Sequence, residues 1–340
     1  MRLGGTVWDC HANGGKPAAA AAAVTGGNIS NCHPTDKVYV KLAAVKQPSL
    51  TDIKRHYVGE GRSLDAATEA ALKEDPRPGA RAILQAIARR RFENRAEGQR
   101  LRRLTRFERA LWDKGILQVA GVDEAGMSPL AGPVSAAAVI FLPGARIPGV
   151  DDSKKLNAAE REHLAAEIKR TAVAWSVSFA EVSEIDTINI YWASQLAMKR
   201  AVAGLLVRPG HVLVDGRRIK DMEIAQQPII KGDAKSLTIA AASILAKTAR
   251  DALMQNLDVN HPGYGFAKHK GYPVPEHLAA LKSLGVCSIH RTSFGPVRAI
   301  LGLPPLPPWS GRAVEIAGSD VEEIVGDRTA AHARKPETAH

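Results

Sequence analysis

The stretch Gln118 to Phe141, reading QVAGVDEAGMSPLAGPVSAAAVIF, most narrows what this chain can fold into. Ile116, Leu117, Val119, Ala120 and Val122 form a short apolar run of the kind a buried strand needs, and it stops at two adjacent carboxylates, Asp123 and Glu124. Gly126, Pro129, Gly132 and Pro133 forbid a helix next, and Val134 to Phe141 reads as a returning strand of small and β-branched residues. A strand, a polar corner and a second strand are therefore expected here.

Upstream, residues 1–48 are rich in Gly, Ala, Asn and Pro without sustained periodicity, and are expected to be disordered or to reflect a mis-called start. Residues 49–114 are expected to form a basic helical extension. Ser63 and Asp75-Pro76 are helix-start signals, and Ile83, Leu84, Ile87, Leu101, Leu104, Phe107 and Leu111 recur at three or four residues, as in an amphipathic helix or helical hairpin. Between Arg77 and Arg109 stand eleven Arg against three Glu, which suits either a solvated face or a clamp on a phosphate backbone.

Downstream, 115–308 is expected to be the catalytic domain and 309–340 a flexible tail. Asp151 and Asp152 read as caps of a helix over 158–171, 173–180 as a strand, and 185–203 as a helix. His211 to Asp215 is a short buried strand ending in a carboxylate, and Pro228 to Asp233 repeats that design. Ser236 to Met254 is apolar all round, the mark of a central helix.

Asp123-Glu124, Asp215 and Asp233 thus stand at three separate strand ends, where an α/β sheet gathers its ligands. Four carboxylates cannot share a site ionised without cations, and hard oxygen donors point to Mg²⁺ or Mn²⁺ rather than zinc. Two such ions would activate a water and stabilise a leaving oxygen in phosphodiester cleavage. Each acid also has a plainer reading: Asp233 as a helix cap, Asp215 with Gly216 as a turn pair. His269, His277 and His290 suit loop hydrogen bonds, with His277 also placed to assist proton transfer.

A formal net charge of +11 favours a polyanionic partner. Cys10, Cys32 and Cys287 have neither disulfide nor zinc spacing, which fits a reducing cytoplasm, and no run of about 18 apolar residues suggests a membrane partner. Nothing requires more than a monomer.

The motifs resemble those of the bacterial ribonuclease HII family, whose domain opens with D-E-A-G-R-G-P-L-A-G-P-V. The resemblance continues through Asp151-Asp-Ser-Lys-Lys-Leu156, Val214-Asp-Gly216, Lys231-Gly-Asp-Ala-Lys-Ser236, Ala240 to Lys247, Gly271-Tyr272 and His290-Arg-Thr-Ser-Phe294. It implies an α/β fold with an RNase H-like mixed β-sheet flanked by helices. It also implies hydrolysis of RNA in RNA-DNA hybrids and nicking 5′ of single ribonucleotides embedded in duplex DNA, leaving 5′-phosphate and 3′-hydroxyl ends. The acidic set maps onto Asp123, bridging two metals, with Asp233 at the ion that activates water and Glu124 and Asp215 at the ion near the leaving oxygen. The substrate turn maps onto Gly126, Met127 and Ser128, and the sugar-holding tyrosine onto Tyr272. The chain departs from the family's G-R-G at Met127 and Ser128. Lys154, Lys155, Lys235, Lys247 and Arg250 are expected phosphate contacts. Another RNase H-like metal-dependent nuclease, or a catalytically weakened nucleic-acid-binding module, are the alternative readings.

Overall fold

The computed structural model describes residues 49–307 apart from Asp152, so the expectations for 1–48 and 309–340 lie outside the described residues. The chain divides at Ser63–Leu64 into two compact units. In the first, Ser49 accepts from the Asp52 amide to cap α1 (Leu50–Ile53), and a π-helical turn, Lys54–Gly59, follows.

The second unit holds the remaining elements. Helix α2 (Ala66–Glu74) is capped by Asp65 rather than Ser63, and α3 (Pro78–Leu104) starts with proline in its first turn, where the missing N–H costs nothing. After α4 (Arg106–Trp112) come β1 (Val119–Ala125), β2 (Val134–Ile140), α5 (Ala158–Thr171), β3 (Ala174–Ala180), α6 (Val182–Ala203), β4 (His211–Asp215) and β5 (Gln226–Ile229). A 3₁₀ turn over Gly232–Ala234 leads into α7 (Leu237–Asn260), followed by α8 (Phe266–His269), α9 (Pro275–Leu284) and α10 (Gly295–Ile300). Among the described residues no helix is long and apolar enough to cross a membrane.

The sheet order is β3-β2-β1-β4-β5, antiparallel across β3-β2-β1 and parallel across β1-β4-β5, and helices cover both faces. Period-two alternation divides the side chains. Ala120, Val122, Ala136, Ala138, Val212 and Val214 pack with the α6 residues Ala193, Ala197 and Ala201. Ala137, Val139 and Phe141 point the other way, towards α5 and the run Ala240 to Ala246 of α7. Small residues let α7 lie close to β1: a Cβ added at Gly121 would stand 2.2 Å from the Thr238 carbonyl carbon.

Three details depart from the sequence reading. Asn157, not Asp151 or Asp152, caps α5, in a reciprocal capping box with Glu160, because a side chain directly before the helix can reach its free amides. Asp151 instead pairs with Lys155. The helix read over 185–203 breaks at Asn189 (φ 68°), whose side chain accepts from the Tyr191 and Trp192 amides and restarts it. Asp233 is not at a strand end. β5 stops at Ile229, and the acid follows in the 3₁₀ turn after Lys231, itself left-handed at φ 56°.

The corner between β1 and β2 is held by two arginines on other elements. Arg250 of α7 donates to the carbonyls of Pro133, Ala131 and Lys270 at 2.9, 3.0 and 3.0 Å. Arg291 donates to those of Gly132, Met127 and Gly126 at 2.8, 3.2 and 2.7 Å. Both are fully buried. Gly126, at φ 95°, has no alternative, since a Cβ there would lie 2.2 Å from Arg250 Nε. Two loops complete the frame: the Leu130 amide donates to the Gly271 carbonyl, the Gly132 amide to Ile289, and the Arg291 amide to Leu130.

Gly121→Ala is expected to lose at least about 2 kcal/mol in urea unfolding, because the obstructing atoms are backbone and cannot rotate away. Arg291→Met, which leaves three buried carbonyls without donors, is expected to cost about 3–5 kcal/mol. Arg291→Lys is expected to recover under half of that, as a point donor cannot span three separate acceptors.

Candidate active site

Register brings the first two acids together. Val122 of β1 pairs with Val214 of β4 at the end of their parallel ladder, so the next residues, Asp123 within β1 and Asp215 at the end of β4, lie side by side and face the same side of the sheet, spaced by about 4.8 Å at the backbone. That side is the one α7 covers. Asp123 Oδ1 accepts from the Glu124 amide at 2.7 Å. Ser153 Oγ, in the loop before α5, lies 2.9 Å from Ser243 Oγ of α7, and both side chains are buried. The Gly232 amide donates to Asp215 Oδ1 at 2.6 Å, which ties the turn carrying Asp233 to the end of β4.

These acids act on each other. Burial, then the Glu124 and Asp215 carboxylates, raise Asp123 well above the usual aspartate range. Burial and Asp215 push Glu124 up to about 7. Asp215 is raised as well, chiefly by burial, against which the Gly232 hydrogen bond works. Lys154 supplies positive charge, with Nζ 3.8 Å from Asp233 Oδ2. Among the described residues no three His, Cys, Asp or Glu side chains close on a ready-made cation cage. The four acids are electrostatic neighbours rather than a finished coordination shell. As a donor set, carboxylate oxygens without sulfur fit a hard divalent cation whose remaining positions are filled by water and phosphate oxygen.

The helical extension reaches this site through Glu108 of α4, which the sequence reading passed over. Its Oε1 accepts from Ser236 Oγ, the Thr238 amide and Thr238 Oγ1 at 2.6, 2.9 and 2.9 Å, all at the N-terminus of α7 directly after Asp233. Burial raises its pKa. An acidic residue late in a basic amphipathic helix carries no sequence signal of such a partner.

The turn expected to face substrate, Gly126 to Ser128, is held through its main chain. Arg291 takes the carbonyls of Gly126 and Met127, whereas the Met127 and Ser128 amides meet no acceptor among the described residues. The Met127 side chain packs against the α6 side of the core, and Ser128 is exposed. Ser128 does not have positive φ, so this turn makes no demand for glycine there.

Tyr272 is joined to the same frame. Its carbonyl accepts from His277 Nδ1 at 2.9 Å, and Lys247 Nζ lies 5.7 Å from its ring centroid. It lines a cavity of about 630 Å³ with Lys247, Lys268 and Lys270. His277 is fully buried and uses both nitrogens, the second 3.1 Å from His290 Nε2, so it braces the Tyr272 loop and has no path to a reacting proton. Asp186 of α6 anchors the adjoining loop by accepting from the amides and hydroxyls of Thr292 and Ser293.

Of the basic residues expected at phosphates, Lys154, Lys155 and Lys235 are exposed, the last donating to the Ile230 carbonyl, and Lys247 pairs with Asp251 at 2.6 Å. Arg250 is the correction. It is buried with every guanidinium nitrogen spent on the protein's own carbonyls, because the face of α7 it occupies is turned inwards.

A family model described as Ribonuclease HII matches residues 120–297. Ribonuclease HII of Anaeromyxobacter sp. (strain Fw109-5) is 54% identical over 304 residues, spanning 84% of this chain and 96% of that protein. Ribonuclease HII of Myxococcus xanthus (strain DK1622) is 55% identical over 271 residues, 79% of this chain and 92% of that protein. The solved ribonuclease H2 of Pyrococcus horikoshii OT3 shares 27% identity at a TM-score of 0.48, covering 54% of this chain and 96% of that one. The matched span takes in all four gathered acids and both arginines of the turn, and this chain belongs to the ribonuclease HII family of metal-dependent endoribonucleases.

Proposed function

We propose that this protein hydrolyses the RNA strand of RNA-DNA hybrids and also nicks 5′ of single ribonucleotides in duplex DNA, using Asp123, Glu124, Asp215 and Asp233 to hold divalent cations. The observation that carries this is the adjoining register of Asp123 and Asp215 on parallel strands, with burial raising both, Glu124 and Asp215 adding to it at Asp123, and Asp233 at Asp215. Acids strained in this way gain most from a cation. Bound Mg²⁺ or Mn²⁺, two ions in the full reaction, would lower the pKa of an attacking water and neutralise charge on the leaving 3′ oxygen.

The chain's own groups supply binding and orientation. Asp123 and Asp215 are fixed by the Glu124 and Gly232 amides, and the turn bearing Asp233 is steadied by the Glu108 bonds behind it. Lys154 sits where a phosphate entering the site would meet a positive charge. The free amides of Met127 and Ser128 are donors for oxygen atoms of the ribonucleotide and its phosphate, and the 2′-hydroxyl is the one local mark that separates it from DNA. Tyr272 presents a ring for the adjoining sugar, beside the lysine-lined cavity that receives the backbone. Reading through main chain explains how the turn works without the family's arginine. One copy of the chain contains every group named, so a monomer suffices.

Incubated with a duplex holding one ribonucleotide and either Mg²⁺ or Mn²⁺, the protein is expected to give one nick on the 5′ side, with a chelator stopping it; no nick with either metal contradicts the proposal. Asp123→Asn is expected to lower turnover by about 10³-fold or more while duplex affinity stays within about threefold. Full activity in that variant would remove Asp123 from the cation site. Met127→Arg, which restores the family's residue, is expected to leave the ratio of single-ribonucleotide nicking to hybrid cleavage within about twofold, because discrimination runs through amides that this change leaves in place.

A further inference from the structure

A second basic concavity lies at the other end of the sheet. It is a cavity of about 510 Å³ where the end of α3 and α4 meet the loop after β2, and Arg102, Arg109 and Arg146 line it. All three are exposed, and none makes a side-chain hydrogen bond or ion pair among the described residues. Asp113 also lines the cavity, one helical turn from Arg109, yet the two form no ion pair. Other arginines of α3 are paired, Arg89 with Glu93, Arg91 with Glu69, and Arg100 with Glu97 and the Val150 carbonyl. Arg102 stands in the last turn of α3 and Arg109 in α4, on either side of the break at Thr105, and both line the cavity.

Like charges converging on one concavity repel each other, and the cost is relieved by a polyanion. We propose that Arg102, Arg109 and Arg146 form a phosphate-binding exosite that grips the backbone of the duplex away from the cut, without reading sequence. Arginine suits this task because its fork engages phosphate oxygens in pairs. The location sets a length requirement. Leu117, which lines the cavity, precedes Asp123 by six residues of extended chain, about 20 Å, so a duplex spans both places only if it continues about six base pairs or more beyond the scissile bond. The inference rests on the proposed action on duplexes.

The test compares wild type with Arg102→Gln/Arg109→Gln/Arg146→Gln on duplexes of about 24 and about 8 base pairs, each with a central ribonucleotide, bound without divalent metal at several salt concentrations. For the long duplex the triple variant is expected to bind about tenfold more weakly and to show a salt slope shallower by about 2 to 3; the short duplex is expected to bind both proteins within about twofold. Lysine at the three positions is expected to restore most of the long-duplex affinity, which shows that charge and not folding is lost. Unchanged long-duplex affinity and slope would overturn the exosite, as would equal weakening on both lengths. Binding of an acidic peptide that is lost in the variant while long-duplex affinity stays intact would reassign the surface to a protein partner. Failure of wild type to nick either duplex counts against the proposed function instead, and the length comparison is read from binding alone.

Discussion

Two buried guanidinium groups, neither with a carboxylate partner, hold the β1-β2 corner in place, and the rest of the site depends on them. Burying an arginine is costly unless its donors are satisfied, and here the satisfying acceptors are six main-chain carbonyls, five of them in the corner itself. The cost is visible in the desolvation that pulls Arg291 down to about 9, with Arg250 nearby adding to it. Binding the carbonyls inwards fixes the corner, while the Met127 and Ser128 amides meet no acceptor among the described residues. A turn fixed by its carbonyls makes no demand on the side chains at 127 and 128, and Ser128 is not at positive φ.

The carboxylates are gathered by a different device. Parallel pairing of β1 with β4 puts Asp123 and Asp215 in step where that ladder stops, and the close approach of α7 requires Gly121 and the alanines of α7. Asp233 joins from the turn that starts the same helix. The helix is set in turn by Glu108 from the basic extension, so α4 supports the site although it contributes no acid to it. This coupling gives the extension a structural role alongside the one proposed for its arginines.

Much of this was legible in the sequence. Strand β1 and its acids stand out because an apolar run gives way there to two adjacent carboxylates, and Asp215 closes β4 in the same manner. The order of β2, α5, β3 and β4 follows from period and punctuation. What failed to show has a common cause, which is partnership across long separations. Arg291 sits in a polar loop without periodicity, yet it bonds Gly126, 165 residues earlier. Arg250 reads as the charged end of a helix, and its burial is decided by the corner it supports. Asp233 was expected at a strand end, and the left-handed Lys231 that displaces it into a 3₁₀ turn is a lysine, which gives no warning of positive φ. The break at Asn189 was hidden by the continuing apolar period on either side.

That these acids form one cation site is the claim on which the account of catalysis stands, and metal binding tests it without recourse to turnover. Calorimetric titration of Mn²⁺ into the wild-type protein is predicted to show saturable binding that Asp123→Asn/Asp215→Asn abolishes, with the folded state retained by circular dichroism. Equal Mn²⁺ binding by wild type and that double variant would contradict it, since the ion would then be held elsewhere.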